Sequence, residues 1–273
     1  MRLINRFPSR ATGLALAAIP FAATIVAYAV ASHYRRLENP ADKLLPSLEQ
    51  MGATFWRMAT EPDRRTGDLL LWVDTFDSLV RLGFGIGLAT IFALVIGMLI
   101  GFLPHIRAAL SPYIAAISLI PPITILPILF LMVGLGEASK ILLVALGTAP
   151  VMTRSIAQAV MDIPKELVIK AQTLGATTWQ MMVRLVLPQV LPKLITALRL
   201  GLVPGWIFLI SAEAIASTSG LGYRIFLVRR FLAMDVILPY VAWITLLAYV
   251  IDQLLLALSK RTFRWAHLQG ESL

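Results

Sequence analysis

Six stretches of this 273-residue chain are long and apolar enough to cross a bilayer, and this constrains its fold more than anything else in it. A hydrocarbon core about 30 Å thick takes about 20 apolar residues as helix, and in lipid a helix satisfies its own backbone. The first stretch is ATGLALAAIPFAATIVAYAVA, residues 11–31, preceded by Arg2, Arg6 and Arg10. An uncleaved span fits it better than a secretion signal, because the run is too long and no clear cleavage site follows. The second, 82–103, carries Gly83, Gly85, Gly87, Gly97 and Gly101, and small residues at such spacing let helices approach closely. The third, about 108–133, contains IPPITILP. Pro121, Pro122 and Pro127 must break or kink it, and broken backbone at membrane depth is tolerated only against protein or a wet cavity. The fourth, fifth and sixth cover about 138–159, 190–215 and 236–258.

Composition narrows the function. Charged residues make up 14%, against about 25% in a soluble domain. There is no cysteine, so thiol chemistry, thiolate metal sites and disulfides are excluded. His33, His105 and His267 are scattered without HExxH spacing, so no metal site is expected. No G-x-x-x-x-G-K-[ST] occurs, so the chain has no phosphate-binding loop of its own. No catalytic constellation appears, and an enzyme is not expected. The net charge of +9 points to a membrane rather than to nucleic acid.

Six spans put both termini on one side. The short segments there hold Arg2, Arg6, Arg10, Arg107, Lys165, Lys170, Arg184, Lys260, Arg261 and Arg264; the short loops opposite hold only Arg224, Arg229 and Arg230. The positive-inside rule makes the first side cytoplasmic. The chain then divides into a cytoplasmic N-terminus (1–10), a first span (11–31), an external segment (32–80), a core of five spans (81–258) and a cytoplasmic tail (259–273). Within the external segment, LPSLEQMGATFWRMA reads as an amphipathic helix on the membrane surface.

The loop 160–189 breaks the apolar pattern. Pro164 suits the first turn of a helix, and Lys165 to Leu174 are good helix formers. Gly175 fits the left-handed residue that closes a helix. Thr177 with Gln180 three residues on is a capping-box pattern for a second helix that should stop before Pro188. Leu167, Leu174, Trp179, Met182 and Val183 would give this helix–turn–helix apolar faces, suited either to docking a partner or to packing on its own bundle.

Ionisable residues inside spans are costly and often functional. Glu213, near the outer end of the fifth span beside Ser211, Ser217 and Thr218, is a candidate to line a pathway or hold a gate, or to pair with Arg224 or Arg229. Arg199 could snorkel to headgroups, and Lys140 and Arg154 read as solvated anchors near the ends of the fourth span. Asp252 should pair with a base. The proline run 121–127 is a candidate for the pathway, since broken backbone exposes dipoles to a cavity. Trp206 and Phe208 could shape a constriction or serve as core.

Ala171, Gly175, Ala176, Leu185, Leu187 and Pro188 together resemble the EAA loop of permease subunits of binding-protein-dependent ABC importers. Two positions depart from that pattern: Ile169 stands where Glu is usual and Lys170 where Ala is usual. Glu166, about one turn earlier, is a candidate to replace the lost carboxylate. SLIPPITILPILFLMVGLGEASK and SAEAIASTSGLGYRIF are similar to the nitrate/sulfonate/taurine/bicarbonate branch, the likeness running from about 76 to 264.

The resemblance implies an all-α type I importer permease with about six transmembrane helices, set in a bacterial inner membrane. It implies a second permease copy, two cytoplasmic ATPase subunits carrying ATP and Mg, and a periplasmic or lipid-anchored binding protein docking near the 216–235 loop and Glu137. It leaves the solute open among nitrate, sulfonate, taurine, bicarbonate and guanidine- or urea-type molecules. The rival class is an ion- or proton-coupled secondary transporter, which usually shows more spans and more buried ionisable residues at mid-depth. Glu213 would be out of place on an anion's path unless protonated or paired.

Overall fold

The computed structural model describes residues 9–39, 43–64 and 66–267, and among them every regular element is a helix. Arg2 and Arg6, counted for the topology, and the tail from residue 268 lie outside the described residues. The helices are α1 (Arg10–Glu38), α2 (Leu48–Thr60), α3 (Leu70–Phe102), α4 (Pro104–Ile117), α5 (Pro122–Val133), α6 (Glu137–Met161), α7 (Lys165–Thr173), α8 (Thr178–Met181), α9 (Leu187–Ala216), α10 (Leu221–Arg229), α11 (Met234–Thr262) and α12 (Arg264–His267). Five crossings are long and apolar enough to span a membrane: α1, α3, α6, α8 running into α9, and α11. A sixth follows if α4 and α5, bent by 94°, count as one span.

The core is α3 against α6, with α9 across both. Every fourth residue of α3 from Gly85 to Gly101 is small and buried: Gly85, Ala89, Ala93, Gly97, Gly101. A Cβ on Gly85 would stand 2.6 Å from the Val144 Cβ, and one on Gly97 2.8 Å from the Ile156 Cβ; Gly101 meets Val160 in the same way. The partner numbers rise together, so α3 and α6 run parallel in constant register. Without Cβ atoms the backbones approach closely, and packing in lipid depends on such approach. Gly83 and Gly87 face away and meet nothing within 4 Å. On α9, Gly201 meets Met152 and Gly205 meets Ile86, so α9 runs antiparallel to both.

α3 begins at Leu70, twelve residues before the apolar run of the second span. The added turns carry Asp74, Ser78 and Arg81, which hydropathy reads as loop, yet all three are buried inside the bundle. α1 likewise runs on to Glu38, so the segment between the first two spans is shorter than the sequence pattern suggests. The amphipathic helix within it is α2, started by a capping box between Ser47 and Gln50. It packs on α11 through Phe55 beside Trp243 and through Thr54, which donates to Asp235 at 3.1 Å, and on α3 where Trp72 Nε1 donates to the Ala59 carbonyl at 3.0 Å. α1 is tied down by Tyr28, which donates to the Pro46 carbonyl at 2.7 Å, and by Ser32, which donates to that of Leu45 at 2.9 Å.

Pro121 caps α5, Pro122 opens it and Pro127 lies within it. The bend leaves an apolar cavity of about 710 Å³ between α3, the α4–α5 pair and α6, lined in part by Tyr113, Pro122, Leu146 and Pro150.

Candidate functional site

Two ends of the bundle carry the polar chemistry. At one end, α7 closes on Gly175, whose φ is +75°. The Ala176 N–H donates to the Ala171 carbonyl at 3.0 Å and the Gly175 N–H to that of Gln172 at 2.9 Å. These two bonds are the closed left-handed helix ending that a glycine permits and a Cβ disfavours. The next helix starts on a capping box: the Thr177 N–H donates to Gln180 Oε1 at 2.9 Å, and the Gln180 N–H to Thr177 Oγ1 at 3.3 Å. The turn therefore has little freedom. Around it Leu174 is 78% and Trp179 71% exposed, and Leu167, Ile169 and Val183 are exposed as well. Glu166 is exposed on the first turn of α7. Met182, expected on the exposed face, is instead buried with Met98, Ile156 and Val186.

The second helix of the loop does not stop before Pro188. α8 passes into one wide π-helical turn, Met182–Val186, and then into α9. The Leu187 N–H reaches back to the Met182 carbonyl, so the turn has widened just before the proline that lacks an N–H. Leu185 and Leu187 are half-buried and Pro188 exposed. The loop and the fifth span are thus one mechanical piece.

At the opposite end lies a buried ionic cluster. Arg81, 3% exposed, donates from Nη1 to Glu213 Oε1 at 2.7 Å and to the Ser219 carbonyl at 2.8 Å. It also bonds Glu137 through Nε and through Nη2, the latter at 3.0 Å. Glu213 is fully buried and further accepts from Ser78 Oγ at 2.8 Å and from the Gly222 N–H at 2.8 Å. The Gly220 N–H donates to Asp74 Oδ1 and the Leu221 N–H to Ser78 Oγ, both at 2.9 Å. The unpaired N–H groups at the start of α10 are thereby satisfied by side chains of α3 and α9.

The sequence left Glu213 either on a pathway or gate or paired with Arg224 or Arg229; it is paired, but its base is Arg81, on a segment hydropathy reads as loop. Arg224 instead grips Asp74, donating from Nε to Oδ2 at 2.7 Å. Burial works against the Arg224 charge, but the hydrogen bonds and field of Asp74 outweigh it and raise its pKa. Lys140 is not a solvated anchor: it is 2% exposed and donates to Glu137 Oε1 at 2.8 Å and to Ser217 Oγ at 3.1 Å. Trp206 is buried among Leu82, Ile86, Leu202 and Leu209, in the hydrophobic core of the bundle. Deeper in the bundle, Arg199 holds Asp252 through two bonds of 2.7 and 2.8 Å, the base that carboxylate was expected to find. Arg81 could have been noticed from its spacing, since Asp74, Ser78 and Arg81 recur at helical intervals just ahead of the small-residue stripe.

A rigid, exposed turn continuous with a long span thus closes one end of an all-helical bundle, and a buried ionic cluster closes the other. Residues 89–264 match the binding-protein-dependent transport system inner membrane component family, and the chain belongs to it. It is 35% identical over 198 residues to the taurine transport system permease protein of Escherichia coli, covering 72% of each chain. It is 31% identical to the riboflavin transport system permease protein of Chloroflexus aurantiacus, covering 78% of each. It is 27% identical to an aliphatic sulfonates transport permease protein, assigned putatively, of Bacillus subtilis, covering 69% of this chain and 68% of that one. Among solved structures, an inward-facing form of the MetNI methionine ABC transporter shares the fold: TM-score 0.63 at 20% identity, over 70% of this chain and 95% of that one. The chain is a permease subunit of an ABC importer, and the secondary-transporter reading falls away.

Proposed function

We propose that two copies of this subunit form the membrane unit of an ATP-driven importer and pass a small polar solute inward by alternating access. The observation that carries the reading is the exposed, rigid turn at Gly175, flanked by Ile169, Leu174 and Trp179 and continuous with α9. Two ATPase subunits, which hold ATP and Mg, dock on this turn, with Glu166 standing in for the carboxylate missing at Ile169. Ala171 and Ala176 pack the turn, while Leu185, Leu187 and Pro188 join it to α9. Closure of the ATPase pair moves the turn, and the π-helical turn carries that motion into α9. A two-state element biased by a ligand is what such coupling requires.

The turn faces the cytoplasm, together with both termini, in a bacterial inner membrane. A periplasmic or lipid-anchored binding protein delivers solute at the other end, where the 217–222 loop is fixed by the ionic cluster. Pro121, Pro122 and Pro127 break the third span beside its cavity and are candidates to flank the route. Glu213 and Trp206 act on the route from inside the protomer, by holding α9.

The test is ATP hydrolysis by this chain reconstituted in lipid with an ATPase and a binding protein encoded beside it. Hydrolysis should rise when the binding protein is loaded. Gly175→Val should abolish that rise while leaving the helices folded, because valine resists a φ of +75°. An unchanged rise with valine would overturn the coupling role of the turn.

A further inference from the structure

Arg154 is the unexplained charge in this bundle. It is exposed, and among the described residues it has no hydrogen-bond or ion-pair partner. The α3–α6 register fixes its depth. Gly85 meets Val144, Gly97 meets Ile156 and Gly101 meets Val160, a constant offset of 59. Arg154 is therefore level with Val95. Val95 lies seven residues before the end of α3 at Phe102, about 10 Å at 1.5 Å per residue. It lies about 4 Å from the midpoint of the uncharged run Leu82–Leu103.

This is membrane depth, where a charge facing hydrocarbon costs about 3 kcal/mol and ionisable groups face protein or a wet cavity. Arg199 is at the same level, since Gly201 meets Met152 on the antiparallel α9, and it is satisfied by Asp252. Arg154 has no such carboxylate. The exposed face it shares becomes polar toward the inner end: Val151 is followed by Arg154, Ser155 and Gln158, all exposed. Three polar side chains on one face of a span do not fit lipid.

We propose that Arg154, Ser155 and Gln158 line the cytoplasmic half of the solute route, and that Arg154 is a holding point for a solute bearing a single anionic oxygen group, such as a sulfonate or carboxylate. The proposal rests on the importer reading and deepens it by naming the solute's charge. A guanidinium offers a planar fork of donors to such a group, and the Ser155 hydroxyl one residue on can share it, while the Gln158 amide is held by Asp162 Oδ1 at 2.7 Å. The buried pairing of Glu213 with Arg81 removes the carboxylate that would have stood against an anionic solute.

The chain's lack of cysteine makes the test direct. Ser155→Cys and, as a lipid-facing control at the same depth, Val95→Cys are introduced singly into the full chain in membrane vesicles. Each is reacted with 2-sulfonatoethyl methanethiosulfonate and with its trimethylammonium analogue. The expected result is that position 155 reacts from the cytoplasmic side and position 95 does not. With each rate divided by that for a free thiol in solution, the sulfonate reagent should lead by about tenfold, as expected of a focused positive field. Arg154→Gln should abolish that lead and Arg154→Lys preserve most of it. Because the readout is a ratio at one site, it does not depend on how much chain the vesicles hold, and Arg154→Lys, which keeps the charge, separates loss of the field from loss of the fold.

Position 155 reacting no faster than position 95, or a ratio unmoved by Arg154→Gln, would overturn the proposal. No nucleotide or binding protein enters these rates. A failure of ATP-driven uptake would therefore count against the importer reading alone.

Discussion

Arg81→Met tests the ionic cluster. The guanidinium sits between Glu213, which is fully buried, and Glu137, whose side chain is 59% exposed. Methionine keeps much of the volume and removes every donor. Glu213 would retain Ser78 and the Gly222 N–H, but its charge would have no counter-ion inside the protein. Removing one partner of a buried pair costs about 3–5 kcal/mol, because it strands the other charge. Glu213→Gln should cost less, about 2 kcal/mol, since the neutral amide can still hydrogen-bond and Arg81 keeps Glu137. The double variant removes both charges, so its loss should fall short of the summed single losses by about 2 kcal/mol. Unfolding in mixed detergent and dodecyl sulfate micelles, followed by tryptophan fluorescence, supplies the three free energies. Losses that add to within about 0.5 kcal/mol would mean the two side chains do not act as a pair, and the account of this end of the bundle would be wrong.

Gly220→Ala should damage the same end by a different route. Its φ of +118° disfavours any Cβ, and that Cβ would lie 2.5 Å from Glu213 Cδ and 2.6 Å from Arg81 Nη1. The expected loss is about 1–3 kcal/mol by the same unfolding assay. Gly97→Leu should force α3 from α6, since even one added carbon stands 2.8 Å from Ile156. Overpacking of about 1–3 kcal/mol should lower the thermal midpoint of the detergent-solubilised chain, while Gly83→Leu, on the open face of α3, should leave it unchanged.

What the sequence reveals tracks how local the cause is. The turn at Gly175 is readable because a proline, a glycine and a Thr–Gln pair act over a few residues through backbone geometry. The broken third span is readable because Pro121 and Pro122 forbid a continuous helix. The passage through Pro188 is harder: proline reads as a stop, and only the wider turn ahead of it, which relocates the affected hydrogen bonds, carries the helix through. The start of α3 is hidden for another reason. Asp74, Ser78 and Arg81 have the hydropathy of a loop, and what makes them interior is a set of partners 56 to 166 residues away.

Charges within the membrane show the same division by range. Arg199 and Arg154 are both arginines in apolar helices, and hydropathy treats them alike. Arg199 is neutralised by Asp252, 53 residues on, because α9 and α11 bring the pair to one level. Arg154 sits at that level on α6, on a face that neither α3 nor α9 covers. Its charge therefore has no compensating carboxylate among the described residues, as the proposed place on a solute route requires. Lys140 makes the opposite case. It lies near a span's end, where exposure is the default for a lysine, yet Glu137 one turn earlier and Ser217, just past the end of α9, close over it. Depth and partnership, not residue type, decide whether such a charge is structural or free to act on what moves through.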